Sequence, residues 1–140
     1  MKKIFSILAA YAMIIVSCTA QNMNVPAAVK QAFHSKFPGA KQIKWSKENK
    51  NEFEMEFVYN GNEMSANFDN NGNWAKIETV ISEAEIPVAV KNSVLLKYPE
   101  AIFIGAEKME QPDKAVSFEV IIKTKGKKKE LELSENGSFI

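Results

Sequence analysis

Apolar residues recur four positions apart in two stretches of the chain, a spacing that places them on one stripe of a helix. The two stripes consist of Val25, Val29, Phe33 and Phe37, and of Ile86, Val90, Val94 and Tyr98. Pro26 and Pro87 suit a first helical turn, where a missing N–H costs nothing, while Pro38 and Pro99 end the helices. The pattern predicts two amphipathic helices, each of which must bury its stripe against another element.

Alternating apolar and polar residues follow each predicted helix, which is the pattern of half-buried strands. In the first half of the chain the alternating sets are Ile43/Trp45, Phe53/Met55/Phe57/Tyr59, Met64/Ala66/Phe68 and Ala75/Ile77/Thr79. Asn60-Gly61 and Asn71-Gly72 predict tight hairpin turns, because both residue types tolerate positive φ. Each half therefore consists of one helix and about four antiparallel strands, with the helix on one face of the sheet. We expect a stunted last strand in the second half, because the sequence stops at Ile140.

The two halves also resemble each other in sequence. The segment Val25–Lys30 recurs 61 residues later as Ile86–Lys91, and the strand residues Phe53, Met55 and Phe57 align 65 residues later with Phe118, Val120 and Ile122. The four extra residues of the second half fall near 110–113, where a longer turn is expected. We therefore predict an α+β fold made by tandem duplication, with a first copy at 21–82 and a second at 83–140 that together form one compact domain.

Residues 1–20 are predicted to be a signal peptide. Met1–Lys3 is basic, and Ile4–Val16 is an apolar run that is too short to span a bilayer comfortably. Ile15–Cys18 resembles the lipobox of bacterial lipoproteins, in which case the signal is residues 1–17 and the Cys18 thiol carries a lipid anchor. The alternative is cleavage after Ala20, which discards Cys18. Both alternatives predict the periplasm or cell envelope, the first as an outer-membrane lipoprotein facing the periplasm.

Composition argues against several kinds of site. All 18 basic residues are lysine, and without arginine the bidentate recognition of phosphate or guanine is disfavoured, so we expect no nucleic-acid partner. Cys18 is the only cysteine and His34 the only histidine, which leaves little basis for a nucleophile–histidine pair or a multi-histidine metal site. We expect no enzyme activity, no cofactor and no metal, with membrane contact only through a lipid at Cys18.

A family resemblance rests on four features. They are the two helix-plus-strand copies, the helix motif xPxAVK…K(F/Y)PxA, the strand ending in Asp69–Trp74 and the exported leader. Together they resemble the PepSY-like, β-lactamase-inhibitor-protein-like (BLIP-like) family of envelope proteins, over residues 25–140. The resemblance implies two α+β copies whose sheets can join and whose open face grips a partner protein. Related PepSY domains are proposed to restrain proteases.

Four residues are predicted to form the centre of a protein-binding face. Glu54 and Glu56 alternate with apolar residues, which places them on the polar face of a strand, and Lys76 is a candidate cross-strand partner. Trp74 is out of phase with Ala75 and Ile77, so we expect it on the same open face, where an exposed Trp could anchor an interface. In the alternative interpretation, Trp74 caps the core beside its turn and the glutamates form an ordinary solvated face.

Three further features have simpler explanations. Asp69–Asn73 contains the oxygen ligands of a calcium loop but lacks its bidentate glutamate, so a hairpin turn is favoured. His34 is off the apolar stripe and is expected on a helix surface. A lysine cluster surrounds the Lys125-Gly126 turn and is expected to protect an edge strand, with contact to anionic lipid or an acidic partner as the alternative. Its members are Lys123, Lys125, Lys127, Lys128 and Lys129.

The function that these features favour is that of an exported, non-enzymatic protein-binding module. Such a module would inhibit or modulate an envelope enzyme through its open sheet face. Its partner would be an envelope protein such as a hydrolase or receptor. The alternative is a periplasmic small-ligand carrier or sensor with a pocket between the two copies.

Overall fold

The computed structural model describes residues 23–140, and the predicted signal peptide with Cys18 lies outside them. It contains two α-helices, seven β-strands and a short 3₁₀ helix. In chain order the elements are α1 (Ala27–Lys36), β1 (Lys41–Lys47), β2 (Glu52–Tyr59), β3 (Asn62–Asp69), β4 (Trp74–Val80), the 3₁₀ helix (Glu83–Glu85), α2 (Val88–Lys97), β5 (Ile102–Glu110), β6 (Ser117–Thr124) and β7 (Lys127–Ser134). Neither helix in this part of the chain is long and apolar enough to cross a membrane.

All seven strands form one antiparallel sheet in sequence order. The halves of the chain meet where β4 pairs with β5, from Ile77 opposite Glu110 to Val80 opposite Glu107. The first half supplies four strands and the second half three, so the expectation of about four strands in each is wrong for the second. The stunted edge expected there is present, because beyond β7 the chain makes a single bridge between Leu133 and Phe139.

Two hydrophobic clusters lie on the helix side of the sheet. In the first, Val29 and Phe33 of α1 are buried together with Met55, Phe57 and Phe68. The ring centroid of Phe33 is 4.9 Å from that of Phe57 in an edge-to-face arrangement, which is favourable for aromatic pairs. The second cluster joins α2 to β5, β6 and β7. Its fully buried members are Val90, Val94, Val120, Ile122 and Leu133.

A glycine turn contacts the first turn of each α-helix. Gly72 and Gly137 both have positive φ. A Cβ on Gly72 would lie 2.7 Å from the Ala28 carbonyl oxygen, and a Cβ on Gly137 would lie 2.6 Å from the Ala89 carbonyl oxygen. Only a hydrogen fits at these points. The helix side of the sheet is thus closed by close backbone contacts as well as by apolar side chains, and the opposite side is left open.

Candidate protein-binding face

The side of the sheet opposite the helices, which we call the open face, consists mainly of polar side chains. Its polar character follows from strand alternation, because the two residues that flank a buried residue in a strand point to the opposite side of the sheet. Strand register then arranges the open face in rows across the sheet. One row contains Ser46, Glu54, Asn67 and Lys76; the next contains Lys44, Glu56, Ser65, Glu78, Met109 and Ser117; the third contains Val58, Glu63, Val80, Glu107, Glu119 and Glu132.

The open face is concave. It encloses a volume of about 660 Å³, bounded by residues from both halves of the chain. Eight glutamates and three lysines line this concavity, so its charge is strongly negative. Apolar contact area is available at its margin, where Val80 is 45% exposed and Ile140 is 74% exposed.

Hydrogen bonds and ion pairs link part of this face. Lys44 Nζ lies 2.9 Å from Glu56 Oε2, and Lys76 Nζ lies 2.9 Å from Glu78 Oε1. Glu78 also accepts a hydrogen bond of 2.9 Å from Ser65 Oγ. Glu78, whose side chain is 18% exposed, is thus held by two partners, whereas the Lys44–Glu56 pair is exposed and contributes little.

Glu107 has no ion pair or side-chain hydrogen bond within residues 23–140. Burial raises the pKa of its carboxyl group from 4.5 to about 7, and the negative charges of Glu78, Glu119 and Glu130 add to the rise against the opposing charge of Lys76. Burial and the neighbouring carboxylates thus disfavour the charged form of Glu107.

Glu54 and Lys76 form a second electrostatic unit on the first row. Glu54 is only 7% exposed, and burial, together with the charges of Glu48 and Glu56, raises its pKa despite a hydrogen bond from Ser46 Oγ and the charge of Lys76. Burial would lower the pKa of Lys76, but its hydrogen bond to Glu78 and the charges of Glu78 and Glu54 outweigh this and raise the pKa. Lys76 is thus held in its charged form.

Asn67 lies between these two residues, opposite Glu54 on β2 and Lys76 on β4. Its side chain is 5% exposed, and its Oδ1 has no hydrogen-bond partner in the described part of the chain. A buried carbonyl oxygen without a donor costs stability. The centre of the sheet therefore carries an acceptor that the fold leaves unsatisfied.

Trp74 is not on the open face, and the prediction that placed it there is wrong. Its ring packs against the first hydrophobic cluster, under Lys36 of α1, whose Nζ is 4.5 Å from the ring centroid. The reason is a β-bulge: Asn67 pairs with Lys76, but the next residue of β3, Phe68, pairs with Trp74. Ala75 is the extra residue, and it reverses the alternation on β4. The alternative interpretation, in which Trp74 caps the core, matches this placement.

The structure places the other three predicted residues, Glu54, Glu56 and Lys76, on the open face. Their role in binding stays a prediction. Sequence reasoning missed Asn67, Glu78, Glu107, Glu119 and Glu132, all of which lie on this face. The signal was present, since Asn67, Glu119 and Glu132 each stand between two apolar residues of a strand.

The structure also gives the positions of the remaining sequence features, and the role of the lysine cluster stays a prediction. Asp69 accepts hydrogen bonds from the backbone N–H groups of Asn71 and Asn73, as a hairpin turn requires, and its pKa is lowered first by the side-chain hydrogen bond from Asn73. Residues 23–140 contain no group of three or more potential ligands arranged to hold a metal. His34 is exposed on α1 beside Trp45. The lysine cluster surrounds the turn into β7, which is an edge strand.

These residues define an α+β protein in which one antiparallel sheet is covered by helices on one side and exposes a concave acidic face on the other. The chain belongs to the PepSY-like family, since the family model described as "Putative beta-lactamase-inhibitor-like, PepSY-like" matches residues 57–140. The resemblance seen in the sequence is thereby confirmed.

Solved structures from Bacteroides share the fold. A "BLIP-like protein" of Bacteroides fragilis NCTC 9343 is 27% identical, with a TM-score of 0.71 over 82% of this chain and 83% of that one. A "DUF2874 family protein" of Bacteroides uniformis ATCC 8492 is 22% identical, with a TM-score of 0.75 over 82% and 86% of the two chains. A protein of Bacteroides eggerthii DSM 20697 described as "putative periplasmic" is 20% identical, with a TM-score of 0.76 over 83% and 86%. No protein of curated function matches the chain significantly.

Proposed function

We propose that this chain is an exported, non-enzymatic protein-binding module that inhibits or modulates an envelope protein through its open face. The observation that carries the proposal is the concavity of about 660 Å³ that spans both halves of the sheet. A sheet needs only an ordinary solvated face on its outer side, whereas this one is concave and, within residues 23–140, contains a glutamate whose pKa is raised to about 7 and a buried acceptor without a donor. The BLIP-like description of a relative supports an inhibitory role.

The periplasm or cell envelope is the proposed location. The apolar segment that precedes the described residues and the "putative periplasmic" description of a structural neighbour support it. A lipid anchor at Cys18 would hold the module at the outer membrane, facing the periplasm.

The likeness of the two halves in sequence supports an origin by tandem duplication.

The concavity does not favour the small-ligand alternative. Sites for small organic ligands are mostly apolar with a few polar groups, but eight glutamates line this one. Its breadth across both halves of the sheet suits a protein surface better than an enclosed small molecule.

Cross-linking in cells followed by affinity capture tests the proposal. The chain is expressed with its own N-terminal segment and a tag inserted after Asn22, cross-linked, captured from solubilised envelope and analysed by mass spectrometry. A specific partner should be lost from the Glu56→Lys/Glu63→Lys variant, which reverses two charges on the open face. It should be retained by Glu83→Lys/Glu100→Lys, which makes the same charge change at exposed positions outside the concavity. Equal capture by both variants would refute the open face as the binding surface.

A further inference from the structure

Within residues 23–140, the open face contains a glutamate without an ion pair, Glu107, and a buried acceptor without a donor, Asn67 Oδ1. Glu107 of β5 has Glu119 directly opposite it on β6, and Glu78 on β4 is also close enough to raise its pKa. Lys76 is the cation among the main charges that act on Glu107, and it is already bound to Glu78 at 2.9 Å. A positive charge supplied from outside would be stabilised by several carboxylates at once.

Asn67 gives a second and independent indication of the missing group. Its Oδ1 accepts no hydrogen bond within the described residues, although its side chain is only 5% exposed. Its strand neighbours Glu54 and Lys76 both line the concavity. The Oδ1 atom has almost no solvent-exposed surface of its own, so a donor from outside would bind it once the amide group rotates toward the concavity, and lysine and arginine side chains are donors only.

Building on the function proposed above, we infer that the open face receives a protein segment that places a lysine or arginine over Glu107 and a hydrogen-bond donor near Asn67. The register puts these residues two strands and four residue levels apart, which corresponds to roughly 16 Å at strand spacings of about 4.8 Å and rises of about 3.3 Å. An extended segment of about five residues covers that distance. A single bound ion would satisfy only one of the two positions.

Charge complementarity selects this occupant over others. Anionic ligands, including phosphates and nucleic acids, are repelled by a face with eight glutamates and three lysines. A metal ion is disfavoured because the described residues contain no suitable group of three or more ligands. The open face supplies carboxylates that attract a lysine ammonium group and that a guanidinium can bind bidentately.

A selection from random loops tests the inference and does not require an identified partner. Seven-residue disulfide-closed loops displayed on phage are selected on the full chain, and the binders are compared on the Glu107→Lys and Glu100→Lys variants. The first variant supplies the missing cation within the protein, while the second makes the same change in net charge outside the concavity. Loops that bind the wild type and Glu100→Lys but lose at least tenfold in affinity for Glu107→Lys should carry a lysine or arginine. In synthetic loops, citrulline in place of that arginine, or norleucine in place of that lysine, should also lower affinity at least tenfold.

The outcomes separate this inference from the proposed function. Loops that depend on Glu107 but carry no basic residue, or that bind equally well with citrulline or norleucine, overturn the cationic occupant and leave a protein-binding face intact. A selection that yields no Glu107-dependent loop also overturns the inference. The capture experiment with Glu56→Lys/Glu63→Lys then decides separately whether the open face binds a protein at all.

Discussion

Glu107 of β5 lies directly opposite Glu119 of β6, so two carboxylates face each other across neighbouring antiparallel strands. Like charges in this arrangement destabilise a sheet. Glu132 continues the same row on β7, opposite Glu119. Glu132 accepts a hydrogen bond from Ser117 Oγ, so the cost of this row falls mainly on Glu107, whose pKa is raised by burial and by its neighbours.

The first prediction concerns pH. Because the pKa of Glu107 is raised to about 7, the folded protein binds more protons than the unfolded chain between about pH 4.5 and pH 7. The contribution of Glu107 to stability is full below that range and is lost as pH rises through 7. The rise in pKa corresponds to at most about 3.4 kcal/mol, and solvent screening lowers the expected loss to about 1–2 kcal/mol. The groups acting on Glu107 are Lys76 and Glu78 from β4, Glu119 from β6 and Glu130 from β7.

Urea unfolding at pH 5.5 and pH 8 measures this effect. Glu107→Gln should remove the loss and be more stable than the wild type at pH 8. Glu63→Gln changes an exposed glutamate of the same row and serves as the control. If Glu107→Gln and the wild type lose equal stability between the two pH values, Glu107 does not titrate as described.

The second prediction concerns Trp74, which packs against the first hydrophobic cluster. Trp74→Ala should lower the free energy of unfolding by about 2–4 kcal/mol, because a partly buried aromatic side chain is removed. Affinity for the partner should be unchanged in the folded fraction. Trp74→Phe should cost less, and Lys36→Ala should cost no more than about 1 kcal/mol, since it removes only the cation over the ring. If Trp74→Ala keeps the wild-type free energy of unfolding but loses affinity for the partner, Trp74 is part of the binding surface and this prediction is wrong.

The third prediction concerns Gly72, where a Cβ would lie 2.7 Å from the Ala28 carbonyl oxygen. Gly72→Ala should be destabilised by about 2 kcal/mol or more, because left-handed backbone strain is combined with a steric clash against α1. Gly61→Ala is the matched control: Gly61 has φ +84° and no atom within 4 Å of the position of its Cβ. It should cost only about 1 kcal/mol. Thermal unfolding of both variants makes the comparison, and equal losses would mean that the contact with α1 is not tight.

Most of the fold could be predicted from residue periodicity. The stripes ending in Phe37 and Tyr98 correspond to α1 and α2, and the Asn60-Gly61 turn joins β2 to β3. Whether the sheets join could not be predicted, because the β4–β5 pairing depends on how the two halves dock. The site was predicted in part, since alternation located Glu54 and Glu56 but failed at Trp74, where a bulge that the sequence does not mark reverses the phase. The crowding around Glu107 also depends on register between strands, which a single strand pattern does not contain.

The last prediction separates stability from binding at Asn67. Asn67→Leu replaces the amide by an apolar group of similar shape and removes the buried oxygen that lacks a donor. Since an unsatisfied buried acceptor costs about 1–3 kcal/mol, the variant should be more stable by about 1 kcal/mol, while its affinity for an open-face ligand should fall. Asn67→Asp is the complementary control, because it keeps an acceptor but adds a negative charge beside Glu54, and it should lose stability while it still binds a cationic loop. Urea unfolding and binding titrations on the two variants give both quantities. A less stable Asn67→Leu variant with unchanged affinity would show that the oxygen is satisfied in the free protein and that Asn67 serves the fold alone.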